Sequence, residues 1–326
     1  MNKSIKILIN YFLGPVLLVV LCFSLYRQLM QQTDLEQRWQ QIKSSWLSWK
    51  FFAVIFLMFL NWGIEARKWQ LLVRHVQQFS FIRALKSVLS GCSITMLTPN
   101  RIGEYGGRVL FLDEANRIKG ISLTIVGSLS QLLVTMIMGC LGLFFLRFFS
   151  HTNSNALNVL PHFWGDVLIY FSVVCTLLLF LFYIRLGWLV RLMEKVAAFG
   201  KVVKHITVLD EFEGKQLVQL LLLSLLRYAV FVLQYVLLLQ VMQVGIEVWL
   251  SFWLITVFYL VMAVAPTIGF LEMPIRAKAS IELMQLYSTN IVGIQTAALG
   301  IWIINLVIPA LIGSLLILGI KIVKEK

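Results

Sequence analysis

Apolar positions along this chain fall into long unbroken runs, not into an alternation. The runs cover 7–26, 51–63, 121–146, 167–183, 217–241, 248–265 and 295–320. About 20 helical residues cross a hydrocarbon core of ~30 Å, so each run predicts a membrane-spanning helix. The second extends back toward Trp46 to reach spanning length. Barrel strands are the other structure that satisfies its own backbone bonds in lipid, but they would alternate apolar and polar residues. Two shorter segments are more polar. Segment 84–97 carries Ser87, Ser90, Gly91, Ser93 and Thr95, and segment 277–287 carries Lys278 and Glu282. The pattern predicts an all-α polytopic membrane protein in one membrane domain over 1–326. It has about seven full spans plus two short broken or re-entrant segments.

Composition agrees with the pattern. Of 326 residues, 60% are hydrophobic and 13% charged, with a mean hydropathy of +0.86. Soluble domains carry about a quarter charged residues, so a soluble enzyme is excluded. The net charge of +13 reads on such a chain as membrane orientation, and no nucleic-acid partner is expected. The cysteines (Cys22, Cys92, Cys140, Cys175) lie inside apolar runs without C-x-x-C spacing, and the histidines (His75, His151, His162, His205) are scattered. No disulfide framework, metal or other cofactor is implied. The first run follows Lys3 and Lys6 in the manner of a signal peptide. Its length and the lack of a small-x-small site make it an uncleaved span.

Basic residues crowd the amino end, the 64–86 and 185–216 loops and the tail, whereas 147–166 holds only Arg147 and 242–247 holds none. Both termini are therefore expected in the cytoplasm. That orientation demands two departures from simple crossing. If 84–97 crossed fully, the basic 101–119 stretch would lie outside, so a re-entrant segment is expected there. A broken helix near 266–269 must likewise carry the chain back outward before the last span. Segment 193–199, with basic residues around it, reads as a surface amphipathic helix.

Chemistry concentrates at the two breaks. The first is L-T-P-N-R-I-G-E-Y-G-G-R over 97–108. Pro99 interrupts the helix, and Gly103, Gly106 and Gly107 permit close backbone approach. Arg101, Glu104 and Arg108 place charge beside the break, where charge is costly and paired or functional. The second is A-P-T-I-G-F-L-E-M-P-I-R over 265–276, with Pro266, Gly269, Glu272 and Arg276. In each stretch a Glu precedes an Arg by four, a spacing that pairs on one helical turn. Two Gly/Pro-broken segments in corresponding halves point to a transporter's central site. They raise the expectation of an internal repeat, with halves around 51–150 and 217–320. Asn61 and Glu65, four apart at the end of the second span, are additional candidates. Gln131, Gln234 and Asn305 read as interhelical glue.

The stretch T-P-N-R-I-G-E-Y-G-G-R, preceded by a small-residue helix, resembles the signature of the lysylphosphatidylglycerol synthase transmembrane-region family, also called flippase-like. The resemblance extends over length, span pattern and the later 266–272 stretch. The second stretch departs from the family's Pro- and Gly-rich form, keeping Pro266, Gly269 and Glu272. In larger members this membrane unit moves an aminoacylated phospholipid between leaflets, and a separate soluble domain makes that lipid. No such synthase domain lies in these residues, so lysyl transfer is not expected.

The resemblance implies a flippase or lipid-headgroup transporter of the bacterial cytoplasmic membrane, not an enzyme. Arg101, Arg108 and Arg276 would hold a phosphate, since arginine binds phosphate bidentately, and Glu104 and Glu272 would counter them in its absence. The substrate is a membrane phospholipid. A second copy of the chain and a separate lipid-modifying enzyme are the protein partners considered. Three other readings stay open: a carrier of a small water-soluble solute or ion, a membrane enzyme acting on a lipid headgroup, and a scaffold.

Overall fold

A computed structural model of the chain describes residues 36, 40, 48–96, 98, 102–148, 162–185, 212, 214–265 and 272–318. Among these, the chain forms ten helices: α1 (Trp49–Val73), α2 (Phe81–Thr95), α3 (Gly103–Val109), α4 (Arg117–Phe148), α5 (His162–Ile184), α6 (Gly214–Val241), α7 (Val248–Val264), α8 (Glu272–Met284), α9 (Ile291–Trp302) and α10 (Ile308–Leu318). One π-helical turn, Ile303–Val307, joins α9 to α10. Five continuous helical stretches are long and apolar enough to span a membrane: Trp49–Val73, Glu114–Phe148, Asp166–Ile184, Gly214–Val241 and Ile291–Ile317. The expected span at 248–265 is the 17-residue α7, which is shorter. The expected first span at 7–26 and the amphipathic segment at 193–199 lie outside the described residues.

The second span is longer than its apolar run. Expected over 51–63, it continues as α1 to Val73. Asn61, Glu65, Lys68 and Leu72 are all buried on it, a spacing that keeps one stripe of the helix inward. The opposite face, with Phe52, Phe56 and Phe59 more than 60% exposed, suits lipid. Polar residues therefore did not end the helix; they turned its inner face polar.

α1 and α6 run antiparallel through the centre. Gln234 Nε2 donates to the Val54 carbonyl (2.9 Å), Arg227 Nε to Asn61 Oδ1 (2.8 Å) and Lys68 Nζ to Ser224 Oγ (3.4 Å). Around this pair stand two helical hairpins that enter from opposite ends. In the first, α3 folds back along α2. Ser87 Oγ donates to the Arg108 carbonyl at 2.7 Å, and a Cβ on Gly107 would lie 2.6 Å from both Gly91 Cα and the Ser90 carbonyl oxygen. Only glycine permits that backbone approach, and small residues are what drive helix contact where lipid is as apolar as protein. The connectors on either side of this hairpin are tied together: the Asp113 amide donates to Gln77 Oε1 (3.1 Å) and Asn116 Nδ2 to the Val76 carbonyl (3.5 Å).

The second hairpin, α7–α8, opens from the other end. Asn290 holds its flanking connectors together by donating to the carbonyls of Met242 and Gln243, each at 3.1 Å, while its Oδ1 caps α9 through the Gly293 amide. Each hairpin's first arm leans on the long helix of the other half at a glycine. A Cβ on Gly313 of α10 would lie 2.0 Å from the Leu89 carbonyl oxygen of α2, and one on Gly142 of α4 would lie 2.0 Å from Thr256 Oγ1 of α7. The π-helical turn has a local cause. Pro309 has no N–H for the Asn305 carbonyl, and the ladder re-registers just before it.

Candidate functional site

Glu65 is the hub of the bundle's interior charges. It is 2% exposed and about 12 Å inside the Val73 end of α1 at 1.5 Å per residue. Arg108 Nη2 reaches its Oε1 at 2.6 Å, while Lys68 Nζ and Arg227 Nη1 reach its Oε2 at 3.0 and 2.9 Å. Arg108 also pairs with Glu104, one helical turn away on α3. Among the described residues, three cations thus face two carboxylates, an excess of one positive charge.

Each member has a physical anchor. Arg108 is held by the α2–α3 hairpin and lies over the Trp69 ring, 5.5 Å from its centroid. Lys68 donates to the Gly127 carbonyl at 3.2 Å and toward Ser224. Arg227 sits at the midpoint of the 28-residue α6, between the rings of Trp62 (5.7 Å) and Phe231 (5.2 Å). A desolvated guanidinium over aromatic faces is a favourable arrangement. Glu104 stands on the rim with a quarter of its side chain exposed, and Arg227 retains 15%.

The hub continues into a neutral relay. Asn61 Oδ1 accepts from Arg227 and its Nδ2 donates to Asn305 Oδ1 (3.0 Å); Asn305 Nδ2 donates to Gln234 Oε1 (2.9 Å). Asn305 comes from the π-helical turn, a device often found at functional positions. From Val54, which accepts from Gln234, to Lys68, the polar track follows α1 for about 21 Å. Polar groups in an apolar interior are tolerated when bonded in this way.

Of the residues singled out from sequence, the structure brings Asn61, Glu65, Glu104 and Arg108 into one cluster. Glu272 and Arg276 pair on α8 at 2.8 Å, with Arg276 over the Phe258 ring at 5.9 Å, as a separate group on the other hairpin. Pro99, Arg101, Pro266 and Gly269 lie outside the described residues. Gly103, Gly106 and Gly107 are not the break itself: all three lie within α3. Gly103 and Gly107 make close contact with α2, whereas Gly106 faces open space. The sequence reading missed two members. Lys68 was counted among loop charges, and Arg227 was passed over inside an apolar run, although a lone charge mid-span is itself a signal.

The family model for the lysylphosphatidylglycerol synthase TM region matches residues 7–271. The chain belongs to that family. It is an integral membrane protein of a group tied to lipid modification or lipid transport. The match takes in the whole Glu65 cluster and ends one residue before Glu272. No curated protein matches the chain.

Proposed function

We propose that this family member moves phospholipid headgroups across the bacterial cytoplasmic membrane, with both termini on the cytoplasmic side and the acyl tails left in the bilayer. The observation that carries the reading is the uncompensated positive charge of the Glu65 cluster. A buried net charge is costly, and a monoanionic phosphodiester supplies the missing negative charge. Arg227 and Arg108 offer guanidinium forks suited to phosphate. Glu104, on the rim, is the carboxylate that gives way, while Glu65 stays in place and keeps the arginines apart. Among the described residues, Arg108 retains one unbonded buried nitrogen, Nε, and Trp62 and Trp69 each retain an unbonded indole N–H. Orphan donors of this kind call for an acceptor-rich guest.

The opposed hairpins support the reading further. If the two halves are an inverted repeat, each break carries a Glu–Arg pair toward its own membrane face, as in transporters that alternate access around a midplane site. In this scheme the chain performs no covalent chemistry; a separate enzyme modifies the lipid. Reconstitution into vesicles with trace fluorescent phosphatidylglycerol tests it. The expected result is leaflet exchange faster than in protein-free vesicles, and slower in R227Q. Exchange at the protein-free rate across anionic and zwitterionic lipids overturns the reading, as does saturable uptake of a soluble solute without lipid exchange.

A further inference from the structure

An aromatic tract joins the Glu65 cluster to the second Glu–Arg pair. Arg227 lies over Phe231, which meets Tyr259 with ring centroids 6.1 Å apart. Tyr259 in turn meets Tyr228 at 5.9 Å and Phe258 at 5.4 Å. Phe258 carries Arg276 on its face. Ring contacts therefore run unbroken from one arginine to the other. The tract also advances along the bundle. Phe258 packs edge-on against Tyr235 at 5.5 Å, and Tyr235 shares a hydrogen bond with Ser280 of α8. Tyr235 is about 12 Å nearer the Val241 end of α6 than Arg227 is.

Two of these rings carry unused chemistry. The hydroxyls of Tyr228 and Tyr259 are buried without a hydrogen-bond partner among the described residues, and Tyr228 is only 3% exposed. The Tyr259 ring touches both the Tyr228 ring and Phe258, whose face carries Arg276. Buried tyrosine hydroxyls normally find a partner. Here two O–H donors share an aromatic tract that ends on a cation, which suits an anionic acceptor and repels a cationic one.

Resting on the headgroup-transport reading, we propose that Tyr228, Tyr259 and Arg276 form a second headgroup station, which takes the phosphodiester after it leaves Arg227 and Arg108. The hydroxyls donate to phosphate oxygens, Arg276 shares its charge between Glu272 and the guest, and the rings of Phe231 and Phe258 line the passage between the stations. The ligand class is a phosphodiester-bearing lipid. Tyr228 follows Arg227 on α6, so the second station begins beside the first and extends through Tyr259 toward Arg276 along the aromatic tract.

The test uses the full chain in phosphatidylcholine vesicles containing graded amounts of fluorescent phosphatidylglycerol, with leaflet exchange read by quenching of the outer-leaflet dye. Y228F/Y259F keeps every ring and removes both orphan hydroxyls, so its melting temperature is expected at or above wild type. Its exchange is expected to slow by about tenfold or more, the fold-change for losing a hydrogen bond to a charged group, and to need more labelled lipid for half-saturation. R276Q is expected to slow exchange similarly, with R276K intermediate. Wild-type exchange and half-saturation in Y228F/Y259F would overturn the second station while leaving the transport reading intact. Slowed exchange with a lowered melting temperature would assign the hydroxyls to folding and overturn it as well. Absence of exchange in the wild type would remove the transport reading itself.

Discussion

Replacing Glu65 by glutamine is the sharpest perturbation this interior permits. The substitution is nearly isosteric, so it changes charge and little else. Glu65 holds Arg108, Lys68 and Arg227 at 2.6–3.0 Å. Without its charge, three cations face Glu104 alone, and the excess rises from one positive charge to two. The new amide also turns an N–H donor toward groups that only donate. Breaking a buried pair by removing one partner costs about 3–5 kcal/mol, against a total stability of roughly 5–15 kcal/mol for a typical domain.

Glu104→Gln should behave differently. That carboxylate is a quarter exposed, and Arg108 keeps its bond to Glu65 in the variant. E104Q raises the positive excess by the same one charge, but on the solvent-reached rim and with one pair broken in place of three contacts, so its cost should be smaller than that of E65Q. The expected order of thermal stability in detergent is wild type, then E104Q close below, then E65Q far below. Adding Lys68→Met to E65Q removes one stranded cation at the cost of the bond to the Gly127 carbonyl. The double variant should therefore melt above E65Q, a non-additivity expected of groups in one network. Thermal unfolding followed by size-exclusion chromatography reads all four proteins. An E65Q protein that melts with wild type, or below which E104Q falls, would refute the hub.

Further outcomes follow from the packing. Gly107→Ala should disrupt the α2–α3 hairpin and destabilise the protein, whereas Gly106→Ala, in open space, should be neutral or stabilising by up to about 1 kcal/mol from helix propensity; thermal unfolding of the two compares them directly. Asn305→Leu should cost about 1–3 kcal/mol, because Asn61 and Gln234 lose their shared partner, and a wild-type melting temperature would count against the relay. In a cysteine-free background, a cysteine at Gln243 should react with an impermeant reagent from outside intact cells, while one at Gln77 should react only after the membrane is opened. The reverse pattern would invert the proposed orientation.

Much of the architecture was legible because it rests on local rules. Five span positions follow from run length, and α3 folds back along α2 where a return was expected from the basic residues of 101–119. The Glu104–Arg108 and Glu272–Arg276 pairs follow from their spacing on a helical turn. The extent of α1 was harder, because averaging hydropathy over a window hides a helix that is polar on one side. Asn61, Glu65, Lys68 and Leu72 nonetheless recur at 3.6-residue spacing, and reading the face instead of the average would have carried the helix to Val73.

The hub itself was legible only in part, for a reason of geometry. Glu65 stood out as a carboxylate near the end of an apolar run, but its importance lies in what surrounds it, and those partners arrive from distant parts of the chain. Arg227 is separated from Asn61 by 166 residues and Arg108 from Glu65 by 43. Sequence spacing therefore made the two Glu–Arg pairs look equivalent, which suggested one shared site. Packing separates them. The α2–α3 hairpin presses Arg108 into a cluster of charges on α1 and α6, whereas α8 places Arg276 against Phe258 and the tyrosines. The neighbours, not the pairs, decide the chemistry. One arginine is fixed between two carboxylates among further cations, and the other, paired with Glu272, lies on an aromatic surface that continues to Tyr259. On the proposed transport reading, a phosphate would leave a cluster whose excess positive charge it balances for a pocket built from donors and rings, and that asymmetry would give its path two distinguishable ends.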